Sequence, residues 1–347
     1  MKNYGKQFTC KRKRSLRKIK ELDKEIRTRG AVVRDSIRDF LLPFFSGHKR
    51  TRYFEGWYFK HQNEDAVLAF IPGQSIDEKG GKHPFLQIIW NESSCSLDFK
   101  EEDYLVDRRQ GKILLGNNVF SRRGVKLNIR SEGISIQGII RYGSLSPIRY
   151  SIMGPFLLLP FMECSHEIVS MSHALQGKMR INGKVLDFNG EQGYLEGDRG
   201  RSFPSDYLWL QCNRFSGEAS IMVSVAHIPF PCHQFQGCIA VIWYQGTEYR
   251  FATYLGAKIV CRRETAVILR QGSSCLKVFL SNQGKSGGAR FSHELLAPEQ
   301  GRMGRTIREE HLRQGRFLLY RKEELVFDLT SSYVSFEYAE RAKGHSH

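Results

Sequence analysis

Residues 124–143, GVKLNIRSEGISIQGIIRYG, decide the fold. Val125, Leu127 and Ile129 alternate with Lys126, Asn128 and Arg130. The chain then turns at Ser131–Gly133 and resumes with Ile134, Ile136 and Ile140. Side chains two apart share one face of a strand, so this stretch reads as a hairpin with one buried face. GKMRINGKVLDFNG (177–190) reads as a second hairpin, with Asn182-Gly183 supplying the positive φ angles of a two-residue turn. Residues 218–230, 236–260, 265–280 and 315–329 continue in the same style. Helical spacing is scarce after residue 50, which predicts an antiparallel, all-β body. Its length and closely spaced turns suggest two barrels or sandwiches, placed at 49–188 and 189–343. SNQGKSGGAR (281–290) reads as a loop.

The N-terminal segment 1–48 follows a different period. Leu16, Ile19, Leu22, Ile26, Val33, Ile37, Phe40 and Phe44 recur at spacings of three, four or seven, with Lys and Arg between them. This predicts a basic amphipathic helix over 11–45, broken near Gly30. The net charge is +17, and residues 1–52 hold 17 of the 53 Lys and Arg but 5 of the 36 Asp and Glu. The excess charge therefore belongs to this segment rather than to the body. Two readings of the helix stay open. It packs its apolar stripe on the body, or it lies on an anionic membrane surface. No nucleic-acid partner is expected, since apolar periodicity is wasted on a phosphate-binding tail.

With 347 residues, 41% hydrophobic and 26% charged, the chain has the composition of a soluble protein with a substantial core. The eight cysteines, at 10, 95, 164, 212, 232, 238, 261 and 275, form no CxxC pair. The beginning of the chain has no apolar run of the signal-peptide kind, so reduced thiols and a cytoplasmic setting are expected, with a peripheral place on the inner membrane face as the variant. The greasiest run, IMGPFLLLPFM (152–162), is too short to span a bilayer.

No nucleophile elbow, phosphate loop, dinucleotide fingerprint or HExxH motif is present. Three other segments carry unusual chemistry. In RYFEGWYFK (52–60), alternation places Tyr53, Glu55, Trp57 and Phe59 on one face, a carboxylate among rings. In GPFLLLPFMECSHEIVSMSH (154–173), Glu163, His166 and His173 follow an apolar run, as at the mouth of a hydrophobic cavity. A metal held by His166, His173 and Cys164 is disfavoured by the spacing, so no metal or cofactor is expected. In GYLEGDRGRSFPSDYLWLQCNRF (193–215), Glu196 and Asp198 lie among glycines beside Arg199 and Arg201, followed by Phe203, Tyr207 and Trp209. With Glu191, these carboxylates also admit a carbohydrate-active reading, which the greasy central block does not suit.

Together these segments resemble the tocopherol cyclase family, through YFEGWYFK (53–60), PFLLLPFMECSHEIVSMSH (155–173) and GYLEGDRGRSFPSDYLWLQCN (193–213). The resemblance implies two lipocalin-like β-barrels and an acid that protonates the alkene of a prenylated hydroquinone, whose phenolic oxygen then closes the ring. It implies Asp198 as the acid with Glu196 next. Tyr194, Phe203, Trp209 and Trp57 would be ring walls, and Glu163, His166 and His173 would orient hydroxyls, with Glu55 also in contact with the substrate. The implied partner is a hydrophobic prenylated small molecule in an apolar barrel cavity, and a non-catalytic carrier of such a molecule is the alternative. The sequence departs from the family pattern at Gly197 and Arg199, where the family has lysine and tryptophan. Arg199 raises the question whether it pairs with Asp198 and spoils the acid.

Overall fold

A computed structural model describes residues 51–340, except 92, 108–109, 159–161, 231–232 and 285–290. The helix expected over 11–45 lies outside the described residues, as does most of the expected loop at 281–290. The body is all-β, with two antiparallel sheets of 12 and 10 strands among the described residues. The 124–143 hairpin forms as its alternation requires. Strands Gly124–Ser131 and Ile134–Tyr142 pair, and Val125, Leu127, Ile129, Ile134, Ile136 and Ile140 are buried. In the second hairpin Asn182 and Gly183 take φ values of 48° and 84°, both in the left-handed region.

One ladder sets the architecture. Strand Gln192–Gly200 lies between Tyr53–Gln62 and Cys164–Ile181, bonded to both. Strands from the three singled-out segments, far apart in sequence, thus become neighbours in the first sheet. This corrects the expected boundary at 188/189: Gln192–Gly200 belongs to the first sheet, and the change of sheet falls between Gly200 and Tyr207, where the first strand of the second sheet (Tyr207–Cys212) begins.

Parity then assigns every side chain a role. On Gln192–Gly200, Leu195 faces the first sheet's own core, while Tyr194 faces the second sheet. On Tyr53–Gln62, Trp57 and Phe59 enter that same first core, and Tyr58 faces across. On Tyr207–Cys212, Leu208, Leu210 and Cys212 fill the second sheet's core, and Tyr207 and Trp209 face back. Three large apolar clusters result among the described residues: one inside each sheet, and a third between them.

Candidate functional site

The expected barrel cavity is replaced by a cavity between the sheets. The interiors of both halves are filled by their own large side chains, and a cavity of about 160 Å³ lies at the seam, lined from both sides. From the first sheet it receives Gly56, Tyr58, His166, Glu196 and Asp198, and from the second Tyr207, Trp209, Ile307 and Glu337. Phe54 and Phe203 close one side, edge to face with centroids 5.4 Å apart.

His166 is the centre of the polar wall. Strand pairing sets it directly beside Asp198, and Glu196 follows two residues along on the same face. Its Nδ1 lies 2.9 Å from Asp198 Oδ1 and its Nε2 3.1 Å from Glu196 Oε2. Burial alone would drive the imidazole to its neutral form, but Glu196 and Asp198 together reverse this and raise its pKa well above the usual histidine value. At neutral pH the cluster is therefore an imidazolium between two carboxyl groups. Tyr194, buried behind the wall, donates its hydroxyl to Glu196. Cys164 Sγ lies 3.5 Å from Asp198, and burial, then the Asp198 charge, holds the thiol protonated.

Asp198 thus faces the cavity and His166, and the next residue on the strand, Arg199, takes the opposite parity, opposite Glu55 and Ser165 in the ladders. Several expected contacts are corrected by the same parity. Trp57 and Glu55 point away from the cavity, Trp57 into the first core and Glu55 beside the hydroxyl of Tyr53, 3.3 Å away. His173 is also absent from the cavity lining. It sits deep in the first half, its Nδ1 3.0 Å from Ser170 Oγ and its ring 4.4 Å from that of Tyr142. Burial, then His61, pushes its pKa down to about 3, so it is a neutral core histidine. Tyr194 supports Glu196 rather than forming a cavity wall. Glu163, Phe203 and Trp209 line the cavity.

The second wall was missed by sequence reasoning. Glu337 lines the cavity and accepts a hydrogen bond of 2.6 Å from Tyr207, and burial pushes its pKa up to about 7. Behind it Glu309, fully buried, accepts one of 2.6 Å from Tyr58. Farther along the seam Lys60 is 1% exposed and donates to Gln211 Oε1 at 2.8 Å. Glu309, Glu310, His311 and Arg313 are all buried, and a run so rich in charge carries no local pattern that marks it as buried.

Burial lowers the pKa of Lys60 from 10.5 to about 8. A depressed folded pKa adds stability above the unfolded value, which is lost as the pH falls through the folded one. Lys60→Met should therefore outperform the wild type most below pH 8, and its advantage should shrink by roughly 3 kcal/mol as the pH rises to 10.5. Urea unfolding at several pH values measures the gap, and a gap independent of pH would refute the buried charge.

Among the described residues, donor atoms of His166, Glu196 and Asp198 converge within 4.8 Å of one another, so these three could hold a metal ion. The set considered earlier, with His173, is not brought together. Among the described residues no helix is long and apolar enough to cross a membrane.

Fold and site define a class: an all-β protein of two sheets with an acid–base cluster in an apolar seam. Residues 108–262 match the family model described as tocopherol cyclase-like, a span holding two of the three motifs. Solved structures with a similar course include a candidate AttH protein from Nitrosomonas europaea, at 9% identity, covering 82% of this chain and 91% of that one, TM-score 0.45. Another is kievitone hydratase from Nectria haematococca, at 12% identity, 82% and 88% coverage, TM-score 0.44. No curated protein matches the sequence.

Proposed function

We propose that the chain is a cyclase- or hydratase-type acid–base catalyst that adds an O–H group across the alkene of a prenylated hydroquinone or related isoprenoid. The observation that carries this reading is His166, held between Asp198 and Glu196 on one wall of a mostly apolar cavity. The cluster keeps a proton inside a carbon-lined space, as protonation of an unactivated alkene demands. The proton goes to the less substituted alkene carbon, and the π pair forms the new C–H bond. The tertiary cation then takes an electron pair from the phenolic oxygen, or from water in a hydration. The O–H proton returns to the Asp198–His166–Glu196 group, so the enzyme ends unchanged. The faces of Tyr58 and Trp209, 5.8 Å apart at the cavity wall, suit a passing cation.

Size limits what enters. An apolar cavity of about 150 Å³ accepts benzene, so about 160 Å³ admits one aromatic ring or the reacting end of a prenyl chain, not a whole long tail. An apolar seam of this kind does not suit the carbohydrate reading, and Glu191 is engaged with Arg214.

The test is incubation with a phytylated hydroquinone and product analysis. Wild-type turnover to the ring-closed product is expected, lost in Asp198→Asn with Glu196→Gln. Unchanged turnover in that double variant would overturn the residue assignment. Binding of the probe without any product would favour the second reading, a non-catalytic carrier, which the same apolar cavity supports.

A further inference from the structure

The second wall holds titratable groups that the mechanism above leaves idle. Glu309 and Glu337 stand opposite each other in the ladder between strands Arg302–Arg321 and Glu324–Ala339. Each carboxyl receives a tyrosine hydroxyl at 2.6 Å, Tyr58 on Glu309 and Tyr207 on Glu337, from strands in different sheets. Glu337, Tyr58 and Tyr207 line the cavity, and Glu309 sits behind them. Resting on the acid–base reading of this cavity, we propose that Glu337 is a second catalytic proton donor, facing the ligand from the wall opposite His166, with Glu309 as its positioning residue.

Two neighbouring buried carboxyl groups resist double ionisation, so the pair retains a proton where a lone glutamate would lose it. The groups around Glu337 set its charge state. Burial raises its pKa most, the Tyr207 hydroxyl opposes that, Glu196 and Asp198 from the first sheet raise it further, and His166 lowers it. Glu309 is raised as well, through burial and then Glu337, against its bond from Tyr58 and the charge of Lys60. Arg305 adds a cation near Tyr207.

The chemistry balances across the seam. The Glu337 O–H bond breaks as its proton joins the alkene carbon, and the carboxylate left behind keeps the Tyr207 hydrogen bond that stabilises it. The nucleophile's O–H proton passes to the Asp198 carboxylate on the other wall. Return of one proton to Glu337 through the ligand site or solvent resets both walls, with no net gain or loss. A donor and an acceptor on opposite walls let addition proceed from two sides of the double bond.

Two measurements on the full chain test this. The first is an infrared pH titration of the protonated-carboxyl band. The wild type should lose intensity near pH 7, Glu337→Gln should lack that step, and Tyr207→Phe should move it to higher pH. A step that persists unchanged in Glu337→Gln overturns the proposal whether or not any substrate turns over. The second is the pH profile with the phytylated hydroquinone. Glu337→Gln should lower kcat by about a hundredfold and remove the alkaline limb, while Glu337→Asp recovers part of the rate. Wild-type rate and profile in Glu337→Gln would exclude it as donor and leave the Asp198–His166 reading intact. Absence of turnover in the wild type defeats that reading, while the titration still decides where the proton resides.

Discussion

Replacing His166 with phenylalanine is expected to lower turnover by roughly 10²–10⁴-fold and to destabilise the fold by roughly 3–5 kcal/mol at pH 6. Both effects have one origin. The imidazolium is the positive charge shared by Asp198 and Glu196, at 2.9 and 3.1 Å, and its removal leaves two carboxyl groups facing each other at the seam. The stability effect carries a sign in pH. His166 binds its proton more tightly folded than unfolded, so its stabilisation is complete below the ordinary value of 6.5 and is lost as the pH climbs through the raised folded value. The gap between wild type and variant, read from urea midpoints, should narrow in that direction. A gap that widens with rising pH would mean that His166 is neutral in the fold.

The second large effect concerns Gly197→Ala, which should cost roughly 3 kcal/mol through overpacking. A Cβ at Gly197 would lie 2.3 Å from Cε3 and 2.4 Å from Cζ3 of Trp57, whose indole is packed in the first core with 5% exposure. Neither the strand nor the ring has room to yield. Pairing the change with Trp57→Phe should recover part of the loss, so the double variant should be more stable than the sum of the singles. Strict additivity would show that the ring contact is not the cause. Because residue 197 faces away from the cavity, ligand binding should survive in any folded variant. The departure from the family's lysine here is thus a packing matter of the first sheet rather than a change at the reacting wall.

Parity accounts for what the sequence could and could not tell. The 124–143 hairpin and the Asn182-Gly183 turn were legible because their causes are local: a two-residue period and a backbone that needs positive φ. Asp198, Glu196, His166, Glu163, Phe203 and Trp209 were recognisable from motif composition; ladder pairing gathers Asp198, Glu196 and His166 in the first sheet, and Trp209 meets them from the second sheet across the seam. Trp57, Glu55 and His173 were misplaced because a motif does not say which of two faces meets the ligand when both are apolar. That choice depends on which sheet lies across, a long-range fact. Glu337 escaped for the same reason: nothing near it in sequence resembles the motifs, and its role arises from strand Glu324–Ala339 pairing with Tyr207–Cys212. The expectation of a barrel interior assumed one wall per cavity, whereas large side chains fill both interiors and leave space at the seam.

In that seam a ligand would act as an adhesive. A molecule held between Trp209 and Ile307 on one side and Tyr58 and His166 on the other would touch both halves at once. Its binding free energy would add directly to their cohesion, by an amount that grows with the logarithm of its concentration over Kd. Occupancy should therefore fuse the melting of the two halves into one transition, and an empty protein should be the one that comes apart along its middle.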